Sequence, residues 1–316
     1  MIVTKTPLRI SLLGGNTDFP EYISKHGGLV LTTTIDKYVY CIVKKRFDSE
    51  IWINYSEKEK VKEVKDIKHD LVREAMKLLK INEGLEITFL SDIPSEGSGL
   101  GSSSAVVIGL LNALHHYKND PVTSMKLANE ACQIELGILK KPIGIQDQFA
   151  IALGGCKRIT FGVQMVEFMP LSDKFEKMFK DNLLLLYTNK TRKAEDILSK
   201  MTLDDEILGR NKELVNKAVT AMEYNDIALF GKLLNSYWKL KKQLNKHVSN
   251  NEIDDMYQKA LENGALGGKI VGAGGGGFLL LVVPHDKQNQ VRNALKLKEL
   301  PFKLDRYGSR IIFQNE

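Results

Sequence analysis

The chain has 316 residues, 43% of them apolar and 27% charged, which excludes disordered, collagen-like and coiled-coil classes and leads us to expect about two domains of ~150 residues. Its 45 basic and 39 acidic residues leave a net charge of +6, but the signs are interleaved, as in Glu57-Lys58-Glu59-Lys60-Val61-Lys62-Glu63. That pattern reads as a solvated face and argues against nucleic-acid binding. Cys41, Cys132 and Cys156 lie far apart with no CxxC pair, which points to a reducing cytoplasm and excludes a disulfide framework or a zinc ribbon.

No apolar run approaches the ~20 residues that span a bilayer, and the start lacks a charged segment followed by an apolar one, so a cytoplasmic protein without membrane contact is expected. Strands rich in β-branched and aromatic residues are predicted over 2–4, 29–35 and 38–44, and another over 85–90. Helical spacing follows. Residues 103–117 place Val106, Val107, Leu110, Leu111 and Leu114 on one side, 123–138 repeat the pattern, and a short helix over 145–153 stops at Gly154-Gly155. After a hairpin of 157–161 and 164–168, the charged stretch 174–181 separates two halves. The second half reads as a strand over 183–188, amphipathic helices over 204–224, 227–244 and 252–262, a strand pair bracketing 274–277, a helix over 287–297 and a closing strand over 310–313. Because the crossovers are unevenly spaced, an α+β pair of domains is favoured over one doubly wound sheet.

The strongest motif is Pro94-Ser95-Glu96-Gly97-Ser98-Gly99-Leu100-Gly101-Ser102-Ser103-Ser104-Ala105, between a strand and a helix. Its glycines let N–H groups converge and the helix start adds a positive dipole end, which suits a phosphate. No Gly-Lys-Ser/Thr closes it, so it is not a Walker A loop. The alternative is a plain Gly/Ser turn with a serine helix cap. A second run, Gly272-Ala273-Gly274-Gly275-Gly276-Gly277, matches GxGxxG but leads into a strand, so a dinucleotide fold is excluded. Asp147 at a helix start and Glu135 twelve residues upstream pair two carboxylates, suited to Mg²⁺ binding and to accepting a hydroxyl proton; a helix cap and a solvated face are the alternatives. Arg9, in an apolar strand, needs a charged partner. The histidines show no metal spacing, and His115-His116 reads as the end of an exposed helix.

Pro7 to Asp18, Pro94 to Ala105 and Lys269 to Phe278, in this order, resemble the signature motifs of the GHMP small-molecule kinases, and Gly144 to Gln148 resembles the segment that holds that family's catalytic aspartate. The resemblance covers nearly the whole chain. It implies a two-domain fold: an N-terminal domain, residues 1–178, like the second domain of ribosomal protein S5, and a ferredoxin-like C-terminal domain, residues 179–316. It also implies roles. Asp147 is the catalytic aspartate and Arg9 its basic partner; Gly97, Ser98, Gly99, Leu100, Gly101, Ser102, Ser103 and Ser104 hold ATP. Ser103 and Glu135 bind Mg²⁺, while Asp18, Asn16, Thr17, Gly274 and Gly275 face the substrate.

Where galactokinases read Gly-Glu-His-Thr-Asp, this chain reads Gly14-Gly15-Asn16-Thr17-Asp18, so galactose is not expected. The entry Pro94-Ser95-Glu96-Gly97 is one residue longer than the common Pro-x-Gly spacing. Together with Gly27-Gly28, Ile35-Asp36-Lys37-Tyr38-Val39-Tyr40 and Trp238-Lys239-Leu240-Lys241-Lys242, the first motif is most similar to the branch that phosphorylates D-glycero-D-manno-heptose 7-phosphate at its anomeric C1 hydroxyl, for a nucleotide-activated heptose of surface polysaccharide. A fucokinase-like anomeric kinase or a non-catalytic sugar and ATP sensor are the alternatives. A sugar phosphate and ATP are thus the expected partners, with a homodimer left open. Arg192, with Lys193 second, is expected to grip the sugar's own phosphate; a solvated loop is the alternative there.

Overall fold

In the computed structural model, the described residues are 1–82, 84–93, 97–171 and 174–315. Pro94, Ser95 and Glu96, the expected entry to the serine loop, lie outside them. In chain order the first part contains β1 (Ile2–Leu13), α1 (Pro20–His26), β2 (Gly28–Lys45), β3 (Ile51–Asn54), β4 (Lys58–Val61), α2 (Asp70–Leu78), β5 (Leu85–Ser91), α3 (Ser102–Tyr117), α4 (Ser124–Cys132), α5 (Gln146–Leu153), β6 (Lys157–Phe161) and β7 (Val166–Pro170). The second contains α6 (Lys174–Asn182), β8 (Leu183–Tyr187), α7 (Ala194–Leu198), α8 (Asp205–Glu223), α9 (Ile227–Leu244), α10 (Asn251–Glu262), β9 (Gly267–Ile270), β10 (Phe278–Val282), α11 (Gln288–Leu295), β11 (Lys298–Glu299), β12 (Leu304–Asp305) and β13 (Arg310–Gln314).

Two sheets organise these elements, as an α+β architecture requires. The larger runs β13-β1-β2-β5-β3-β4, with β6 and β12 also on β2 and β7 on β6; the smaller runs β11-β8-β10-β9. The closing strands β12 and β13 therefore return to the larger sheet.

Local chemistry explains where the structure departs from the sequence reading. The strands expected over 29–35 and 38–44 are one strand. β1 pairs with it as Pro7 with Tyr38 and then Leu8 with Ile35, so Asp36 and Lys37 bulge outward where the pairing slips. Pro7 has no N–H to give the ladder, which suits it to this irregular point. The charged stretch expected to be a linker forms α6, with Phe175, Met178 and Phe179 buried. The helix expected over 123–138 is α4 continued by a wide π turn, Gln133–Ile138. His115 is buried rather than on an exposed helix end, and its ring bonds Glu130 at 2.7 Å.

α3 is apolar on nearly every side because it lies between the larger sheet and helices α2, α4 and α5. In the smaller sheet, Leu185 of β8 and Leu280 of β10 face the main core, whereas Leu184, Leu186, Leu279 and Leu281 face a second core with Ile253, Tyr257 and Val291 of the outer helices. Burial on both faces is why these strands are continuous apolar runs. α9 approaches β9 closely: a Cβ on Gly267 would lie 2.0 Å from the Gly231 carbonyl oxygen. Gly267→Ala must push helix and strand apart, and is expected to cost about 1–3 kcal/mol, measured as a lower denaturant midpoint with an unchanged slope.

Candidate active site

A cleft of about 990 Å³ is walled by the end of β1, the serine loop, the starts of α3 and α5, the turn before α7 and the glycine turn after β9. Arg9 is its hinge point. The side chain is buried in β1, two residues past the bulge, and its guanidinium grips both oxygens of Asp147: Nε donates to Oδ1 at 2.6 Å and Nη2 donates to Oδ2. Nη1 donates to the Gly99 carbonyl at 2.6 Å, and the Arg9 backbone N–H to the Leu100 carbonyl at 2.9 Å. The partner that a buried arginine requires is therefore Asp147, with the serine loop fastened to the same group. Asp147 lies in the first turn of α5, where the helix dipole favours a carboxylate, and 24% of its side chain remains exposed to the cleft.

The serine loop turns on Gly97, Gly99 and Gly101, with φ of +69°, +76° and +80°, a region that favours glycine. Gly101 caps α3 without a side-chain bond, so the serine-cap alternative does not hold and the first-turn N–H groups are left for a ligand. The serines point elsewhere. Ser103 and Ser104 donate to Glu135 at 2.7 and 2.9 Å, and Gln148 donates to it at 2.6 Å. Glu135 is fully buried on the π turn, not on a solvated face. Burial pushes its carboxyl up, and Ser103 and Gln148 are among the groups that pull it down.

Asp18 closes the other end of this acidic group. It accepts from the N–H groups of Asn16 at 2.9 Å and Gln146 at 3.1 Å and from Gln146 Nε2 at 3.3 Å. Burial outweighs these bonds and pushes Asp18 up to about 6. Gly144 makes room, since a Cβ there would lie 1.9 Å from Asp18 Oδ2. Asn16 Nδ2 and Gln146 Oε1 are buried in the cleft wall without a hydrogen-bond partner among the described residues. Such orphaned atoms beside a carboxylate suit a ligand rich in hydroxyls.

The structure gathers Arg9, Asp18, Asn16, Asp147, Glu135, Gly97, Ser98, Gly99, Gly101, Ser102, Ser103, Ser104 and Arg192 around one cleft. Four residues expected at the site stand behind it. Thr17 bonds the Gly14 carbonyl at 2.7 Å and holds its turn, Leu100 is wholly buried, and Gly274 and Gly275 pack against Val248 and Arg192, leaving Gly272 and Ala273 at the wall. Sequence reading missed Gln146, Lys241 and an aromatic end of the cleft. There the His69 ring meets Tyr55 edge-on at 4.8 Å and stacks on Phe89 at 5.8 Å. Gln146 and Lys241 lay inside segments already marked by the resemblance, but neither was assigned to the site.

The family model for the GHMP kinases N terminal domain matches residues 69–155, and that for the GHMP kinases C terminal matches residues 215–299. A D-glycero-alpha-D-manno-heptose 7-phosphate kinase of Campylobacter jejuni is 33% identical, with 94% of each chain covered. The chain belongs to the GHMP kinases. A galactokinase of Pyrococcus furiosus is 26% identical over 93% of this chain and 92% of its own. The crystal structure of a D-glycero-D-manno-heptose 1-phosphate kinase from Bacteroides thetaiotaomicron superposes with a TM-score of 0.82 over 100% of both chains at 23% identity, which shows the shared fold.

The raised Asp18 gives this kinase a measurable pH signature. The folded state holds the proton up to about 6, well above the ordinary carboxylate range, so the stability of the protonated form is lost as pH rises through that window. Asp18→Asn removes the titration. Relative to the unmutated protein, the variant is expected to gain up to ~3 kcal/mol between about pH 4 and about pH 7.5, read from urea denaturation at both values. A difference independent of pH would mean that Asp18 ionises as freely in the folded protein as in the unfolded one.

Proposed function

We propose that the chain is an ATP- and Mg²⁺-dependent sugar kinase that transfers the γ-phosphoryl group to the anomeric C1 hydroxyl of D-glycero-D-manno-heptose 7-phosphate. The reading rests on one arrangement: Asp147, held by the Arg9 fork, shares a cleft with the serine loop at the start of α3 and with the Asp18, Asn16 and Gln146 group. The heptose 7-phosphate relative and the sugar-type first motif support the substrate. The product would feed a nucleotide-activated heptose for surface polysaccharide, made in the cytoplasm. No helix among the described residues is long and apolar enough to cross a membrane. The 1–178 and 179–316 domain division belongs to the same proposal, with β12 and β13 crossing back, as does a homodimer.

In this reading the ATP phosphates lie against the N–H groups of the serine loop and the α3 start, and the base lies at the aromatic end beside Tyr55, His69 and Phe89. Asp147 orients the attacking hydroxyl and accepts its proton late, because an anomeric hydroxyl is more acidic than an ordinary alcohol. Asp18, Asn16 and Gln146 hold the sugar's other hydroxyls. Arg192 takes the 7-phosphate ahead of Lys193, which is exposed to solvent.

Hard oxygen donors fit a magnesium ion, which takes one or two carboxylates and completes its shell with water and substrate phosphates. Glu135 and Ser103 supply them: among the described residues the buried Glu135 carboxylate is bonded by hydroxyls and an amide and forms no ion pair, Lys141 acting on it only through its charge. When bound, the ion neutralises charge developing on the β- and γ-phosphates.

A panel of sugars and sugar phosphates with ATP and Mg²⁺, followed by NMR of the product, tests the reading. Turnover of the heptose 7-phosphate with the new phosphate on C1 is expected; a phosphate placed elsewhere, or preference for another acceptor, replaces it. Asp147→Asn is expected to lower kcat by ~10²–10⁴ with ATP affinity nearly unchanged, and near-normal turnover in that variant would remove Asp147 from the chemistry. Ser103→Ala and Glu135→Gln are each expected to raise the Mg²⁺ concentration needed for half-maximal rate while the fold persists by circular dichroism; an unshifted requirement in both places the metal on other residues.

A further inference from the structure

The cleft wall contributed by the second half of the chain carries two cations that form no ion pair among the described residues. Arg192, in the turn between β8 and α7, has Nε and Nη2 buried and unbonded among the described residues. Asp196 acts on it electrostatically but forms no ion pair with it. Lys241, on α9, is 3% exposed, and among the described residues its Nζ makes one hydrogen bond, donated to the Gly272 carbonyl. An ammonium has three protons to place, so two remain for a ligand.

Both cations sit where charge is costly. Burial pulls Arg192 down to about 10. Burial, with the positive charges of Arg192 and Arg9 behind it, pulls Lys241 down to about 7, and Asp18 alone opposes. Two buried like charges that repel each other, with Asp18 and Asp196 opposing only through their charge and not in an ion pair, are unfavourable unless an anion enters. The glycine turn is shaped around them. A Cβ on Gly275 would lie 2.8 Å from Arg192 Nε, and the Gly272 carbonyl receives Lys241. Gly275, expected from sequence to touch substrate, packs against the Arg192 side chain, and Gly274 packs against Val248.

A phosphate monoester carries about −1.5 to −2 charges at pH 7 and three acceptor oxygens, which matches one guanidinium plus one ammonium. The ATP phosphates already have the serine loop and the open N–H groups of α3. We infer that Lys241 and Arg192 together form the seat for the phosphate that the acceptor already carries, and that the 272–275 turn holds both cations in place. The inference rests on the sugar-phosphate reading above and deepens it: the enzyme discriminates a phosphorylated from a neutral acceptor through a pair of residues from two separate elements.

The test compares Lys241→Met and Arg192→Met with the unmutated protein. Measured are KM and kcat for heptose 7-phosphate, for the same heptose without phosphate and for ATP, together with the rise in melting temperature that heptose 7-phosphate produces without ATP. A hydrogen bond to a charged group corresponds to about a 10- to 100-fold effect. Each variant should raise KM for the 7-phosphate by that factor, reduce the preference for the phosphorylated sugar to the same degree, and lose the thermal stabilisation. Lys241→Arg and Arg192→Lys, which keep the charge, should recover part of the preference. Equal losses on both sugars, or a rise in KM for ATP alone, would overturn the pair, the latter by assigning it to the nucleotide. If the unmutated protein phosphorylates neither sugar, the proposed function fails and the melting experiment decides the pair separately. Stabilisation by heptose 7-phosphate that both variants lose would uphold it, and no stabilisation would overturn it. Methionine keeps the stem and relieves desolvation, so the free variants should melt no lower than the parent.

Discussion

The contact on which the site depends is the fork between Arg9 and Asp147. It is bidentate and charge-assisted, the geometry in which a guanidinium holds a carboxylate most rigidly. The same guanidinium also holds the Gly99 carbonyl, so one side chain ties the first strand, the serine loop and the start of α5 together. Removing either partner would leave the other as an uncompensated charge, costly for a group as buried as Arg9. Loop and carboxylate are thereby held in one frame.

A second constraint joins the two halves of the chain backbone to backbone. A Cβ on Gly99 would meet the Val271 carbonyl at 2.4 Å, one on Gly272 the Gly99 carbonyl at 2.6 Å, and one on Gly277 the Ser98 carbonyl at 2.5 Å. Three glycines at positive φ make this approach possible. The two glycine-rich motifs are therefore a matched pair, each the surface against which the other packs. Their contact brings the acids of the first half, Asp18, Glu135 and Asp147, to the same cleft as Arg192 and Lys241 of the second.

What was legible in the sequence follows from interaction range. Motifs whose chemistry is local, such as the serine loop, the helix start at Asp147 and the first glycine turn, could be read directly, as could long helices with a clear apolar stripe. The Asp36-Lys37 bulge could not, because two polar residues between apolar runs look the same whether a strand ends or only loses register. The π turn that carries Glu135 looked like plain helix, since inserting a wide turn changes the hydrogen-bond step and not the residue types. Lys241 was hidden for a different reason. A lysine in Lys239-Leu240-Lys241-Lys242 on an amphipathic helix carries no mark of burial, and only the packing of α9 against the glycine turn turns it inward. The aromatic end draws on three elements, Tyr55 after β3, His69 before α2 and Phe89 in β5, none of which is a motif alone.

Asp147 and Asp18, which both line the cleft, are set apart by surroundings rather than by type. Asp147 stands on a guanidinium fork and a helix N-terminus, so its charge is compensated from two directions. Asp18 has N–H donors but forms no ion pair among the described residues, and it feels Asp147 as a like charge, which adds to the burial that raises it. Pairs of carboxylates whose environments diverge in this way divide acid and base duties between them. The compensated one is suited to receive a proton or orient the hydroxyl that reacts. The uncompensated one is suited to share protons with hydroxyls that do not. The Asn16 and Gln146 atoms that lack a partner among the described residues lie with Asp18 and not with Asp147, so the polar surface suited to hydroxyls and the carboxylate on the guanidinium fork are separate places in one cleft.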